Sequence, residues 1–389
     1  MIDRILRKEI IGSLNRFPAV ALLGARQTGK TTLAKTLIHD LKKDIFYLDL
    51  EDPGNRGIMS NIDLFFSSNE DKTIIIDEVQ RDPELLPVLR SYIDRRREPG
   101  RFLLLGSANP HLLRLTSESL AGRIVYLELT GLNVLEVSDQ ADTPIHWFRG
   151  GFPEPFLQEQ DEIRRQWFSS FIMTYTERDI PLLGLKIANR IVMQCIYMIA
   201  HSTANLLNKS SLASALGIRQ NDLSTILDFL ESSFLIRRLQ PFYVNIGKRL
   251  VRSPKIFIRD SGLLHYLLDI TSFNDLMKHP VLGHAWESYA IEQLISVFEK
   301  QYQYYFYRTQ DGAECDLVIC KSNKPLSCIE IKHALLPGKT KSLTTTIHDL
   351  RTRHNFIIVP HVTENYLLDR NLTVCSIKGF FSEFRRFPG

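Results

Sequence analysis

The chain reads as an α/β protein. A mostly parallel sheet covered by helices comes first, a helical region follows, and a second α/β domain closes the chain. Three observations carry this reading. Short apolar runs alternate with helical periodicity near the N-terminus, a glycine-rich loop sits between one such run and a helix, and a late strand sets acidic and basic residues between isoleucines. A length of 389 residues suggests about two or three domains. The boundaries are read at 1–159, 160–265 and 266–389. With 44% hydrophobic and 24% charged residues the composition is that of a globular chain, which argues against collagen-like, disordered and coiled-coil classes.

Ala19-Val20-Ala21-Leu22-Leu23 is an apolar run of the length of a buried parallel strand. Gly24-Ala25-Arg26-Gln27-Thr28-Gly29-Lys30-Thr31 follows, and from Thr32 to Ile38 apolar residues recur at helical spacing. Strand, glycine loop and helix are the context in which G-x-x-x-x-G-K-S/T binds phosphate. The glycines let the backbone curl so that amides point at phosphate oxygens, and the helix N-terminus adds the positive end of its dipole. Residues Gly24 to Thr32 are therefore the expected ATP site. Lys30 is expected to reach the β- and γ-phosphates, and the Thr31 hydroxyl to ligate Mg²⁺.

The next strand is read at Ile45–Leu48, and a β-branched strand, Thr73–Ile76, ends in Asp77-Glu78. Carboxylates at the C-terminal end of a parallel strand lie where such sheets bind ligands. Asp77 is expected to hold Mg²⁺, and Glu78 to orient or deprotonate the attacking water. Phe102–Leu105 follows a helical stretch near Glu84 to Arg95 and runs into Gly106-Ser107-Ala108-Asn109. Ser107, then Asn109, are candidates to hydrogen-bond the γ-phosphate or the water; a polar turn capping the next helix explains them equally well. Ile124–Leu127 completes the sheet. Arg123, after Leu120-Ala121-Gly122, is the candidate to neutralise phosphoryl charge, from the same chain or a neighbour. Arg95, Arg96 and Arg97 rank below it as a solvated helix face.

These residues resemble the AAA-type branch of P-loop ATPases. More narrowly, the chain is similar to a prokaryotic family that joins such an ATPase to a C-terminal domain of uncharacterised function. The resemblance rests on 24–32, 75–80, 104–107, 119–123, 150–155 and 175–180. Within it, Gly151-Phe152-Pro153 and Glu177-Arg178-Asp179 are markers without an evident chemistry.

From Gln160 to Leu230 the pattern is mostly helical, with breaks at Pro181 and Gly184 and a loop at Asn205–Ser211. Ser211–Ile218 resembles the first helix and turn of a helix-turn-helix, with Gly217 at the turn, and Gln220–Leu230 the second helix. Leu223, Ile226, Leu227 and Leu230 are expected inside, and Gln220, Asn221, Ser224 and Thr225 outside. Ser233–Leu239 then reads as the strand of a basic wing. No acid occurs from Ser232 to Arg259, a stretch with Arg237, Arg238, Lys248, Arg249, Arg252, Lys255 and Arg259. Its field suits a polyanion, which makes DNA a candidate partner. Against that, Asp222, Asp228 and Glu231 on or beside the second helix would repel phosphate, so a structural or assembly role stays open.

In the last region, His284–Leu294 reads as an amphipathic helix bearing Glu287, Tyr304–Arg308 as a strand, and Glu314–Ile319 as a second strand bearing Asp316. In the third, Ser327–Lys332, Glu330 and Lys332 share one face and Ile329 and Ile331 the other. Asp316, Glu330 and Lys332 resemble the PD-(D/E)xK pattern of restriction-endonuclease-like folds, with Glu287 available from the helix. The resemblance implies Mg²⁺ held by Glu287, Asp316 and Glu330, and Lys332 positioning water. A fold kept only for binding is the alternative.

Net charge is only +4, and the five cysteines are scattered without a CxxC pair, so neither a disulfide framework nor a zinc site is indicated. No apolar run is long enough for a membrane span and no signal peptide is evident, so a cytoplasmic location is expected. The function expected is Mg²⁺-dependent ATP hydrolysis coupled to DNA binding or processing, with homo-oligomers allowed. The alternative is a nucleotide-switched DNA-binding or assembly factor without nuclease activity.

Overall fold

A computed structural model of the chain describes residues 2–41, 43–59, 61–107, 120–182, 185–243, 250–298 and 301–387. Chain contacts divide it into two units, residues 1–132 with 228–234, and residues 133–227 with 235–389.

The first unit is built on β1 (Ala19–Gly24), β2 (Ile45–Asp49), β3 (Thr73–Asp77), β4 (Phe102–Ser107) and β5 (Ile124–Glu128). Their order is β2-β3-β4-β1-β5, and every neighbouring pair is parallel. Successive residues go to opposite faces. Ala19, Ala21, Leu23, Ile74, Ile76, Phe102 and Leu104 enter one core, with Leu85, Leu86 and Leu89 from the helix Leu85–Arg95. Val20, Leu22, Ile75, Leu103 and Leu105 enter the other, with Ile10 and Leu14 from the helix Leu6–Leu14 and Leu33 and Ala34 from the helix Lys30–Thr36. A sheet buried on both faces needs apolar residues at consecutive positions, so its strands read as unbroken apolar runs. The parallel register brings Gly24 beside Ser107 and Asp49 beside Asp77 at one sheet edge. Residues 228–234 belong to this unit, and Phe234 packs on its first core.

The second unit begins earlier than the expected boundary at residue 159. The helix Thr143–Arg149 packs on the helix Ser261–Leu267, and the Trp147 ring lies 5.1 Å from that of Trp286. The helices meet so closely that a Cβ on Gly262 would stand 2.2 Å from the Arg149 carbonyl oxygen. Asp260 caps the second helix by accepting from the Leu263 amide at 2.8 Å, and it also accepts from the Gly151 amide at 2.7 Å. The Gly151-Phe152-Pro153 marker thereby gains a structural account. Gly151 ties to Asp260, the Phe152 ring packs 5.0 Å from Phe171, and Pro153 starts the helix Pro153–Leu157. Glu177-Arg178-Asp179 falls in a widened π-type turn, Tyr175–Asp179, that continues the helix Asp161–Thr174.

The helix Lys209–Leu216 starts two residues before the expected Ser211, because the Asn208 side chain caps it by accepting from the Ser211 amide at 3.0 Å. Gly217 turns the chain in the left-handed region, and the helix Gln220–Ser232 follows. Leu223, Ile226, Leu227 and Leu230 are buried, while Gln220, Asn221 and Thr225 are exposed and Ser224 is half-buried. Next, β6 (Ile236–Leu239) and β7 (Lys255–Ile258) pair antiparallel. The C-terminal sheet comprises β8 (Gln303–Arg308), β9 (Glu314–Lys321), β10 (Lys324–Ile331), β11 (Asn355–Ile358), β12 (Tyr366–Asp369) and β13 (Leu372–Cys375). It is mixed, in the order β12-β13-β11-β10-β9-β8. The helices Leu282–Phe298 and Ile377–Phe384 contact each other and this sheet, and the helix Lys341–Leu350 contacts β9 and β10. All five cysteines are buried and free. No helix among the described residues is long and apolar enough to cross a membrane.

Candidate functional site

In the first unit the glycine loop joins β1 to the helix Lys30–Thr36, and Gly29 enters that helix at φ +91°, a conformation open to glycine. The Lys30 ammonium is buried and donates to the carbonyl oxygens of Gly24 at 3.1 Å and Ala25 at 2.8 Å. Burial pulls Lys30 down to about 8, although the charges of Glu78 and Asp77 resist the shift. Thr28 closes the loop by donating to the Ala25 carbonyl at 2.9 Å.

Asp77, at the end of β3, is buried, and its Oδ2 accepts from the Thr31 hydroxyl at 2.6 Å and from the Tyr47 hydroxyl at 2.5 Å. Its Oδ1 accepts from the Glu78 amide at 2.9 Å. A hydroxyl and a carboxylate this close are the hard oxygen donors that suit Mg²⁺, so Thr31 and Asp77 fit that ion. Glu78 sits at φ +56°, an uncommon conformation for a side chain. Its carboxylate accepts from Gln80, and burial pushes its pKa up. The four residues Lys30, Thr31, Asp77 and Glu78, read from the sequence as one centre, come together at one sheet edge.

Two participants had no sequence signal. Tyr47 lies on β2 next to β3, and only the strand order reveals it. Arg4, buried, donates to the Thr28 carbonyl at 2.9 Å and the Thr130 carbonyl at 2.6 Å, tying the loop to the chain beyond β5. Ser107 ends β4 beside Gly24 and is half-buried. Asn109 lies outside the described residues. Arg123 binds Asp94 through Nε at 2.6 Å and Nη2 at 2.9 Å, so it would leave that pair before meeting a phosphate.

In the second unit the acidic residues converge on a lysine. Lys255, at the start of β7, places its ammonium 2.8 Å from Glu287 Oε1, 3.1 Å from Glu314 Oε1 and 3.3 Å from Asp316 Oδ1. Burial works against this charge, but Glu287, Asp316 and Glu314 outweigh it and raise the Lys255 pKa. Glu287 is pushed up by burial and by Asp316, against the pull of Lys255. Asp316 Oδ2 accepts from the Ile331 amide at 2.9 Å. Glu330 has partners of its own: Lys332 meets its Oε1 at 2.9 Å and Thr340 donates to its Oε2 at 3.1 Å, while burial and the Asp316 charge push its pKa up. Among the described residues no three His, Cys, Asp or Glu side chains are arranged to hold a metal ion. The Mg²⁺ implied for Glu287, Asp316 and Glu330 therefore does not fit this arrangement, because ammonium groups fill the positions facing the carboxylates.

The basic stretch also differs from the expected polyanion surface. Arg237 and Arg259 both pair with the buried Glu292, and Lys255 is buried in its own knot. Much of that positive charge is neutralised inside the fold. Lys248 and Arg249 lie outside the described residues.

Three family models match successive parts of the chain. A family model described as an AAA domain matches residues 16–138. Two models described as domains of unknown function, DUF8612 and DUF4143, match residues 140–274 and 282–380. The uncharacterised proteins Rv2008c of Mycobacterium tuberculosis and Mb2031c of Mycobacterium bovis are each 39% identical over 348 residues, covering 90% of this chain and 78% of theirs. Among solved structures, the Walker-type ATPase PABY2304 of Pyrococcus abyssi aligns with a TM-score of 0.47 at 16% identity, over 69% of this chain and 96% of that one.

Proposed function

The chain belongs to the same family as the two mycobacterial proteins, and on that premise we propose that it binds ATP at residues 24–32 and hydrolyses it with Mg²⁺. One observation carries the reading: Lys30, Thr31, Asp77 and Glu78 meet at the C-terminal edge of a parallel sheet. Loop amides and the Lys30 ammonium receive the phosphates, the ammonium exchanging its two carbonyl partners for phosphate oxygens. Thr31 and Asp77 hold Mg²⁺, which when bound supplies charge for the phosphoryl oxygens. Glu78, with its raised pKa, orients the attacking water and accepts its proton. Ser107 and Arg123 remain candidates for the γ-phosphate. Lys30→Ala tests the reading: hydrolysis should fall by about a hundredfold or more, measured as phosphate release with Mg²⁺. Unchanged turnover in a folded variant overturns it.

A second reading concerns the C-terminal domain. We propose that it serves a nucleotide-switched DNA-binding or assembly factor rather than a nuclease. The supporting observation is that Lys255 pairs with Glu287 and Asp316, two of the carboxylates a nuclease would offer to metal. Plasmid incubated with the protein, ATP and Mg²⁺ or Mn²⁺ should stay uncut. Nicking that disappears in Asp316→Ala counts against this reading.

A further inference from the structure

We infer that Lys255 is a tethered replacement for a divalent cation, so that the C-terminal carboxylate pocket excludes Mg²⁺ as long as this side chain is present. The inference deepens the second reading above, on which it rests.

The geometry is that of an ammonium site. A lysine has three N–H donors, and three carboxylates each stand within reach of one, at 2.8, 3.1 and 3.3 Å. These are hydrogen-bond separations, longer than the roughly 2.0–2.6 Å of Mg²⁺ or Ca²⁺ to oxygen. The side chain is 4% exposed, which separates it from a surface lysine that visits a nearby acid. Its backbone is fixed as well: Lys255 pairs with Leu239 across the β6–β7 ladder and bridges to Leu206 on the other side. The ammonium also lies over the Phe306 ring, 5.8 Å from its centroid. An ion entering the pocket would meet this charge at contact distance.

The remaining groups leave no second seat. Asp316 gives its other oxygen to the Ile331 amide, Glu330 is shared by Lys332 and Thr340, and Arg308 stands 3.5 Å from Glu314. Four carboxylates thus face two ammonium groups and a guanidinium. Removing Lys255 takes away the one ammonium that Glu287, Glu314 and Asp316 share, and leaves carboxylate oxygens of the kind Mg²⁺ and Mn²⁺ take.

The test uses Mn²⁺ alone as probe and electron paramagnetic resonance to count free ion. The full-length chain is nucleotide-free and carries Asp77→Asn to silence the first unit. With Lys255 in place, no Mn²⁺ should be retained by the C-terminal pocket. Lys255→Ala should gain one bound equivalent, and adding Asp316→Asn should remove it. Mn²⁺ retained by the Lys255 chain and released by Asp316→Asn overturns the inference. So does a folded Lys255→Ala chain that gains none. If Lys255→Ala does not fold without metal, folding on Mn²⁺ addition supports the inference, and failure to fold with Mn²⁺ counts against it. The two readings fail separately. Ion retained by the Lys255 chain without DNA cleavage ends this inference alone, while cleavage in the presence of a chelator ends the non-cleaving reading alone.

Discussion

Asp77 receives two hydroxyls on one oxygen, and they differ in what their loss should do. Thr31 is within the phosphate-binding motif, whereas Tyr47 only orients the carboxylate from the next strand. A neutral hydrogen bond contributes about 1 kcal/mol. Tyr47→Phe should therefore lower kcat/KM for ATP by about fivefold, while Asp77→Asn should cost about a hundredfold or more. Steady-state phosphate release at saturating Mg²⁺ checks both; equal losses would show that Tyr47 does more than orient. The motif residues were legible because their chemistry is local: loop and lysine are contiguous, and Asp77-Glu78 ends a strand that announces itself by its isoleucines. Lys255 was not. It sits in an acid-free stretch that reads as a surface, while its partners Glu287 and Asp316 lie 32 and 61 residues further along. Glu314 did have a signal, since a residue two before Asp316 on a strand shares its face.

The helices Thr143–Arg149 and Ser261–Leu267 show what packing asks of a pair of elements. Gly262→Ala would press a methyl group onto the Arg149 carbonyl and should destabilise the second unit by about 1–3 kcal/mol. All three tryptophans, Trp147, Trp167 and Trp286, lie in that unit, so denaturant melts followed by their fluorescence read it directly. The same junction buries His265, which meets the Phe148 carbonyl at 3.0 Å. Burial pulls its pKa from 6.5 to about 4, so the folded unit keeps the ring neutral where the unfolded chain protonates it. The unfolded state then binds more protons between those values. The stability His265 contributes is complete above pH 6.5 and is lost as pH falls toward 4, at up to about 1.4 kcal/mol per pH unit. His265→Gln should flatten that slope in tryptophan-monitored melts from pH 7 to 5; an unchanged slope would assign it to other groups. Element types were readable wherever an apolar run or an alternation was strong, as in β1, β3, β4 and β8 to β10. The strand β12 escaped notice because every one of its residues is exposed and it carries no alternation of apolar and polar positions.

At the scale of the whole chain, the two units are not two consecutive pieces. The expected boundary lay at residue 159, whereas chain contacts place residues 133–227 and 235–389 in the second unit. No local pattern in the sequence signals that Asp228–Phe234 returns to the first. A fragment of residues 1–132 should therefore expose the apolar surface that Phe234 covers, and should scatter light on concentration where the full chain stays clear. A fragment as soluble and as cooperative in melting as the intact protein would show that the returning segment is dispensable. Synthesis makes the same arrangement a matter of timing. The ribosome delivers the five-stranded sheet first, then nearly a hundred residues destined for the other unit, and only then the segment that completes its core. At ribosomal rates that is a wait of about 5–20 s, during which the newborn sheet has a seam that only a later part of its own chain can close.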